Sequence, residues 1–262
     1  MKKPIYMFIM FACAALCIVS IVFIVQYYAN ENSSKSAFST LSTRVASLEE
    51  SAEPVSEKNG AGEEGFVNPR VLALRKLAEE NGDLVGWIKI EGTLIDYPVM
   101  QTPEDPEFYL KRNFEKQSSR NGTPFVGANC DMNDYDNIII YGHHMKSGAM
   151  FAGLMEYEDE KFYKDHSTLQ FDTLDAAGEY EIVAVFKSRA YTVDPNVFQY
   201  YLFTKAEDQT AFDEFMFKVQ ENQLYETGVT AEYGDKLITL STCEYSQNNG
   251  RMVVLAKLVD VN

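Results

Sequence analysis

The chain has 262 residues, with 39 acidic against 23 basic side chains and a formal charge of −16. Such acidity excludes a nucleic-acid binder, which needs a basic surface. The sequence also lacks a Gly-rich phosphate loop, zinc-type cysteine pairing and internal repeats. With an apolar N-terminal run and a polar linker set aside, roughly 195 residues remain, enough for one domain with its own core.

Lys2 and Lys3 precede an apolar run over residues 5–28, broken by Gln26 and small polar groups such as Ser20. About 24 helical residues, at 1.5 Å rise each, span a ~30 Å hydrocarbon core. The run exceeds the roughly 7–15 apolar residues of a cleavable signal, and no small-x-small site ends it. Phe11 and Leu16 stand where a lipoprotein site at Cys13 or Cys17 would need small residues. The lysines on the N-terminal side predict a single-pass protein with its N-terminus in the cytoplasm. Residues 1–4 are then cytoplasmic, 5–28 transmembrane and 29–66 a flexible stalk, with 67–262 an extracellular domain. The stalk assignment rests on Ser, Glu, Ala and Gly with few large apolar residues, too little to offset ordering entropy. Some helix is expected near residues 38–48.

Asn68-Pro69 reads as a helix start, with Asn as N-cap and Pro in the first turn. Val71, Leu74, Leu77 and Ala78 make its apolar stripe, and Asn81-Gly82 reads as its stop. A short helix is expected from Asp105-Pro106, and a broken one from Ser147 to His166. A fourth carries the capping box Thr204-x-x-Glu207 ahead of Phe212, Phe215, Met216 and Val219. Strand-like runs cover 87–90 and 93–99, joined by Glu91-Gly92, then 137–141, 169–173, 180–190, 236–243 and 252–259. Many β-branched and aromatic strands with few helices predict a mostly β domain, a closed β-barrel with helical insertions.

The chemistry-bearing residues are few. On a strand over 236–242, Leu237, Thr239, Ser241 and Cys243 share one face, which sets the Cys243 thiol at the strand's end. Arg251 opens the next strand. If the two pair as a hairpin, its guanidinium returns beside Cys243, where it can stabilise a thiolate or an oxyanion. A free thiol has a pKa near 8.5, so a helper is needed at neutral pH. The chain has three histidines. His143 and His144 follow the 138–141 run and Gly142, which relaxes the backbone there. Adjacent side chains point to opposite faces, so one of the two can face Cys243. No further ligand stands at metal-binding spacing, so no metal site is expected. His166 lies in a charged stretch and reads as solvated surface. Cys130 reads as a bystander, or as a disulfide partner of Cys243 that would silence it.

Thr239-Leu240-Ser241-Thr242-Cys243 resembles the TLxTC signature of sortases, and Arg251 falls where their essential arginine does. Tyr141-Gly142-His143 resembles the segment carrying their histidine. Val85-Gly86-Trp87-Ile88 and Ile95-Asp96-Tyr97-Pro98-Val99 resemble early sortase strands. The similarity runs from Asn68 to Val261. The helix before the barrel and the insertion over residues 194–225, between two late strands, resemble class B. The Cys-to-Arg loop is short for that class.

The resemblance implies a cysteine transpeptidase that cleaves the C-terminal sorting signal of secreted proteins. It implies Cys243 as nucleophile, His143 as general acid and base, and Arg251 as holder of the oxyanion. Ser241 and Glu244 would flank the groove and contact the peptide, with the Glu244 backbone N–H or the Thr242 side chain helping the oxyanion, and no cofactor is implied. The expected signal is NPxT-like, cut after Thr. The thioacyl-enzyme would be resolved by an amine of a peptidoglycan precursor or cross-bridge. Phe198, Tyr200 and Tyr201, in the insertion, are candidates to face the peptide. A papain-like enzyme is disfavoured because it places its cysteine early, before the histidine. A pilin-polymerising sortase and an inactive surface-binding protein are the remaining readings.

Overall fold

The computed structural model describes residues 3–53, 55–58, 64–190, 194 and 196–261. Lys2, read above as a topological signal, lies outside them. Helix α1 (Lys3–Glu50) is continuous for 48 residues, about 72 Å at 1.5 Å per residue. Its first half exposes large apolar side chains from Tyr6 to Val25, and it is long and apolar enough to cross a membrane.

The second half of α1 departs from the expected stalk. Phe38, Leu41 and Val45 are buried, with Leu48 packed beside them. Their i, i+3, i+7, i+10 spacing makes one narrow stripe, legible once the helix is known. Between them sit small polar residues, which is why the composition looks like a linker. Ser42 Oγ donates to Asp96 Oδ2 at 2.5 Å, and Arg44 pairs with Glu80.

Strands β1 (Ser56–Lys58) and β2 (Glu64–Phe66) form a small antiparallel ribbon. Helix α2 (Pro69–Ala78) starts as its sequence predicts, with Asn68 Oδ1 accepting from Arg70 N at 2.9 Å. It stops at Glu79, short of Asn81. Asn81 is instead buried and donates to Tyr109 Oη and the Phe114 carbonyl. Its polar side chain serves a loop, not a helix end.

Strands β3 (Leu84–Lys89), β4 (Asp96–Met100), β5 (Phe125–Val126) and β6 (Asn137–Tyr141) follow. Gly92, at φ +76°, turns the β3–β4 hairpin. A single 3-10 turn (Phe108–Lys111) replaces the helix expected from Asp105-Pro106. A 3-10 segment (Phe151–Glu158) and α3 (Glu160–Asp165) form the expected broken helix. His166 caps α3 and is half-buried, stacked on Phe162 at 4.1 Å, so it is not the solvated surface residue expected.

Then come β7 (Thr168–Thr173), β8 (Gly178–Arg189), α4 (Gln209–Asn222), β9 (Leu237–Glu244) and β10 (Gly250–Val261). Helix α4 begins two residues after the expected capping box. Asp208 Oδ1 accepts from Ala211 N at 2.9 Å and takes the cap from Thr204.

The eight strands close into a barrel in the order β10-β8-β7-β3-β4-β5-β6-β9. β4–β5 and β6–β9 are parallel, and the other neighbours antiparallel. Ile138, Ile140, Leu240, Met252 and Val254 belong to the main core. Leu237, Val253 and Leu255, on the opposite faces of β9 and β10, pack with Phe212, Phe215, Met216 and Val219 of α4. The β8–β9 insertion thus covers the outer face of these strands, and the odd-numbered residues near their ends look out beneath it.

Candidate active site

Cys243 and Arg251 are direct cross-strand partners of β9 and β10. Both are half-buried and lie on the outer, insertion-covered face. β6 runs parallel to β9, with Ile139 beside Thr239 and Tyr141 beside Ser241. The end of β6 therefore releases the chain into Gly142-His143 next to Cys243. The three residues line one groove of about 550 Å³. Its other walls include Pro106, Leu110, Ala128, Tyr201 and Leu202.

Gly142 is required for a reason other than turn flexibility. A Cβ there would lie 2.5 Å from the Phe151 ring. His143 Nε2 donates to the Leu110 carbonyl at 2.8 Å. Because a carbonyl only accepts, Nε2 carries the proton in the neutral ring, and Nδ1 is the free nitrogen. The Arg251 guanidinium donates to the Gly250 carbonyl at 2.9 Å. His144 points away from the groove, with Nδ1 donating to the Cys243 carbonyl at 2.8 Å. Tyr245 lies against its ring at 5.0 Å and donates to the His144 carbonyl at 3.2 Å.

The residues expected to flank a peptide are engaged with the protein. Ser241 is fully buried, its hydroxyl 2.7 Å from Tyr200 Oη. Thr242 Oγ1 donates to the Gly142 carbonyl at 2.8 Å, tying β9 to the histidine segment. Glu244 is buried, and its carboxylate accepts from Ser246 N and Oγ at 2.8 and 2.7 Å. Burial works against its ionisation. The two Ser246 hydrogen bonds, with Lys187 and His144 nearby, outweigh it and hold the carboxyl below the usual range.

Of the three insertion aromatics, Tyr201 lines the groove, whereas Tyr200 is in the outer core with Phe198 packed on it. Both Cys130 and Cys243 are free thiols. Cys130 Sγ accepts from Ile139 N at 3.3 Å. Ile139 pairs with Thr239, four residues before Cys243, which is roughly 13 Å along a strand. A disulfide needs Cβ atoms about 3.8 Å apart, so the two cannot pair in this arrangement. Burial pushes the Cys130 thiol up, which keeps it protonated. Among the described residues, no group of three or more His, Cys, Asp or Glu is placed to hold a metal ion.

A thiol, an imidazole and a guanidinium at the end of a parallel β6–β9 pair are an arrangement for acyl transfer. The family model for the sortase domain matches residues 88–259. The chain belongs to the sortase family. Sortase B of Listeria monocytogenes is 37% identical over 190 residues, covering 71% of this chain and 74% of its own. Sortase B of Staphylococcus aureus is 33% identical over 199 residues, covering 75% and 77%. The crystal structure of sortase B from Bacillus anthracis in complex with AAEK1 superimposes with a TM-score of 0.70 at 29% identity. It covers 89% of this chain and 99% of that one. The protein is thus a class B sortase, a cysteine transpeptidase acting on sorting-signal substrates.

Three site features were missed in the sequence. The Leu110 carbonyl that orients His143 is a backbone group of the 3-10 turn, distant in sequence. Leu202 and Pro106 are ordinary apolar residues until the insertion and the 3-10 turn converge. His144 did carry a signal, since it neighbours the candidate base, but as a rival to His143 and not as a contact of Cys243.

Proposed function

We propose that this sortase cleaves an NPxT-like C-terminal sorting signal after Thr and transfers the protein to a cell-wall amine, using Cys243, His143 and Arg251. The observation that supports this most is the cross-strand pairing of Cys243 with Arg251 in the groove that His143 also lines.

With the Cys243 thiol proton moved to Nδ1 of His143, which makes that ring imidazolium, the Cys243 thiolate attacks the threonine carbonyl carbon. The Arg251 guanidinium stabilises the resulting oxyanion. As the C–N bond breaks, His143 gives a proton to the leaving amine. Nδ1 is the nitrogen for this step, because Nε2 is held by Leu110. The incoming amine gives a proton back to His143 and attacks the thioester. The C–S bond then breaks and Cys243 is released. Ser241 and Thr242 form part of the groove wall, with Glu244 behind it. The apolar half of α1 anchors the domain as a single-pass helix, with the N-terminus cytoplasmic and the barrel outside.

The test incubates the chain from residue 29 onward with NPxTG, NPxTN, SPxTG and LPxTG peptides, with and without an amine acceptor. Mass spectrometry should show cleavage after Thr and a thioacyl adduct on Cys243, absent in Cys243→Ala. No adduct on any peptide would refute the assignment.

A further inference from the structure

Glu31 is only 6% exposed, although it lies on α1 just beyond the apolar run. A carboxylate is seldom buried without hydrogen-bond partners. Its Oε1 accepts from Ser147 Oγ at 2.5 Å and from Asn121 Nδ2 at 3.4 Å. Ser147 lies four residues after His143, in the loop that carries both histidines.

That loop is closed on itself. Phe151 N donates to the His143 carbonyl at 2.9 Å, and His144 pairs with Met150 in an isolated bridge. Gly148 turns it at φ +82°, and Met150 sits at φ +59°. Helix α1 reaches the loop a second time. Phe38 packs edge-on against Tyr97 with ring centroids 5.1 Å apart, and Tyr97 Oη accepts from Met150 N at 3.1 Å. One side of the histidine loop faces the substrate groove, and α1 holds the other side at Ser147 and, through Tyr97, at Met150. His143 lines both that groove and the cleft between the loop and α1.

We infer that Glu31 is a positioning residue for the histidine loop, so that the helix leaving the apolar segment sets the placement of His143 through the Glu31–Ser147 hydrogen bond. This rests on His143 as the proton-transfer residue. Glu31 touches no reacting atom, and its effect passes through Ser147 to the loop. Misplacing a catalytic group by about 1 Å costs rate without touching the nucleophile.

The experiment uses the full chain in detergent and compares Glu31→Leu, Glu31→Gln, Ser147→Ala and the Glu31→Leu/Ser147→Ala pair. Turnover of a cleaved sorting peptide is read beside the thermal midpoint and the rate of Cys243 alkylation by iodoacetamide. Glu31→Leu and Ser147→Ala should each lower kcat on the order of tenfold, with KM and alkylation unchanged. Glu31→Gln, whose amide oxygen still accepts from Ser147, should stay within about twofold, and the double variant should fall no further than either single one. A wild-type kcat in Ser147→Ala overturns the inference. So does a loss in Glu31→Gln equal to that in Glu31→Leu. Full activity in His143→Ala, run alongside, would instead overturn the histidine assignment.

Discussion

The Nδ1 of His144 donates a 2.8 Å hydrogen bond to the carbonyl oxygen of Cys243. This joins the histidine loop to the backbone of the strand carrying Cys243, while Tyr245 lies tilted against the same imidazole from the loop after β9. The residue next to the proposed base is thus tied to the backbone of Cys243. An Asn amide places a donor near the Nδ1 position, whereas Ala has none. His144→Asn is expected to keep most of the transpeptidation rate, and His144→Ala to lose about tenfold or more in kcat. Steady-state kinetics of the two variants checks this, and equal rates would remove His144 from the positioning set.

Arg251 faces Cys243 across the β9–β10 ladder. A lysine keeps the charge but not the planar fork of donors. Arg251→Lys is expected to lower kcat by about 10²-fold, the usual scale for a lost oxyanion donor, while iodoacetamide still alkylates Cys243. A lysine variant within a few fold of wild type would argue that charge alone suffices.

Much of this site was legible because its parts lie on regular strands. The period of two put Ser241 and Cys243 on one face, and a hairpin through residues 245–249 was enough to bring Arg251 back. The parallel β6–β9 pairing was not legible, because nearly a hundred residues separate the strands and no local pattern records which edges meet. The stripe Phe38, Leu41, Val45 was missed for another reason. Three apolar residues among serines carry little average hydrophobicity, and the helix they stabilise is continuous with a segment of different purpose. The Asp208 cap displaced Thr204 because both are competent caps, and only tertiary packing chose between them.

The docked half of α1 bears on where the soluble enzyme begins. Burying Phe38, Leu41 and Val45 contributes about 1.5–3 kcal/mol each. A fragment from residue 29 is expected to melt well above one from residue 67, and Phe38→Ala in the longer fragment should cost about 3 kcal/mol. Differential scanning calorimetry of the three proteins decides it. Equal melting temperatures would mean that α1 is not part of the folded unit.

Gly142 has the Phe151 ring where its side chain would be. Since its carbonyl also accepts from Thr242 Oγ1, the backbone cannot shift without loosening β9 from the histidine segment. Gly142→Ala is expected to lower kcat by about 10²-fold through displacement of His143. Gly142→Ala combined with Phe151→Leu should recover part of that loss. No recovery in the double variant would place the defect elsewhere.

Glu244 follows Cys243 and is buried with its charge held by Ser246 and Lys187. Its folded carboxyl titrates below the usual range, so ionisation favours the folded state. That contribution is fully present above the unfolded carboxyl value of about 4.3 and is lost as pH falls through the lower folded one. Glu244→Gln is therefore expected to be less stable than wild type at pH 7, by an amount that stays constant between about pH 6 and 8 and shrinks below about pH 4. Urea titrations of both proteins across that range test it. A difference that persisted undiminished at the acid end would show that hydrogen-bond shape, not charge, is what Glu244 supplies to the strand end carrying Cys243.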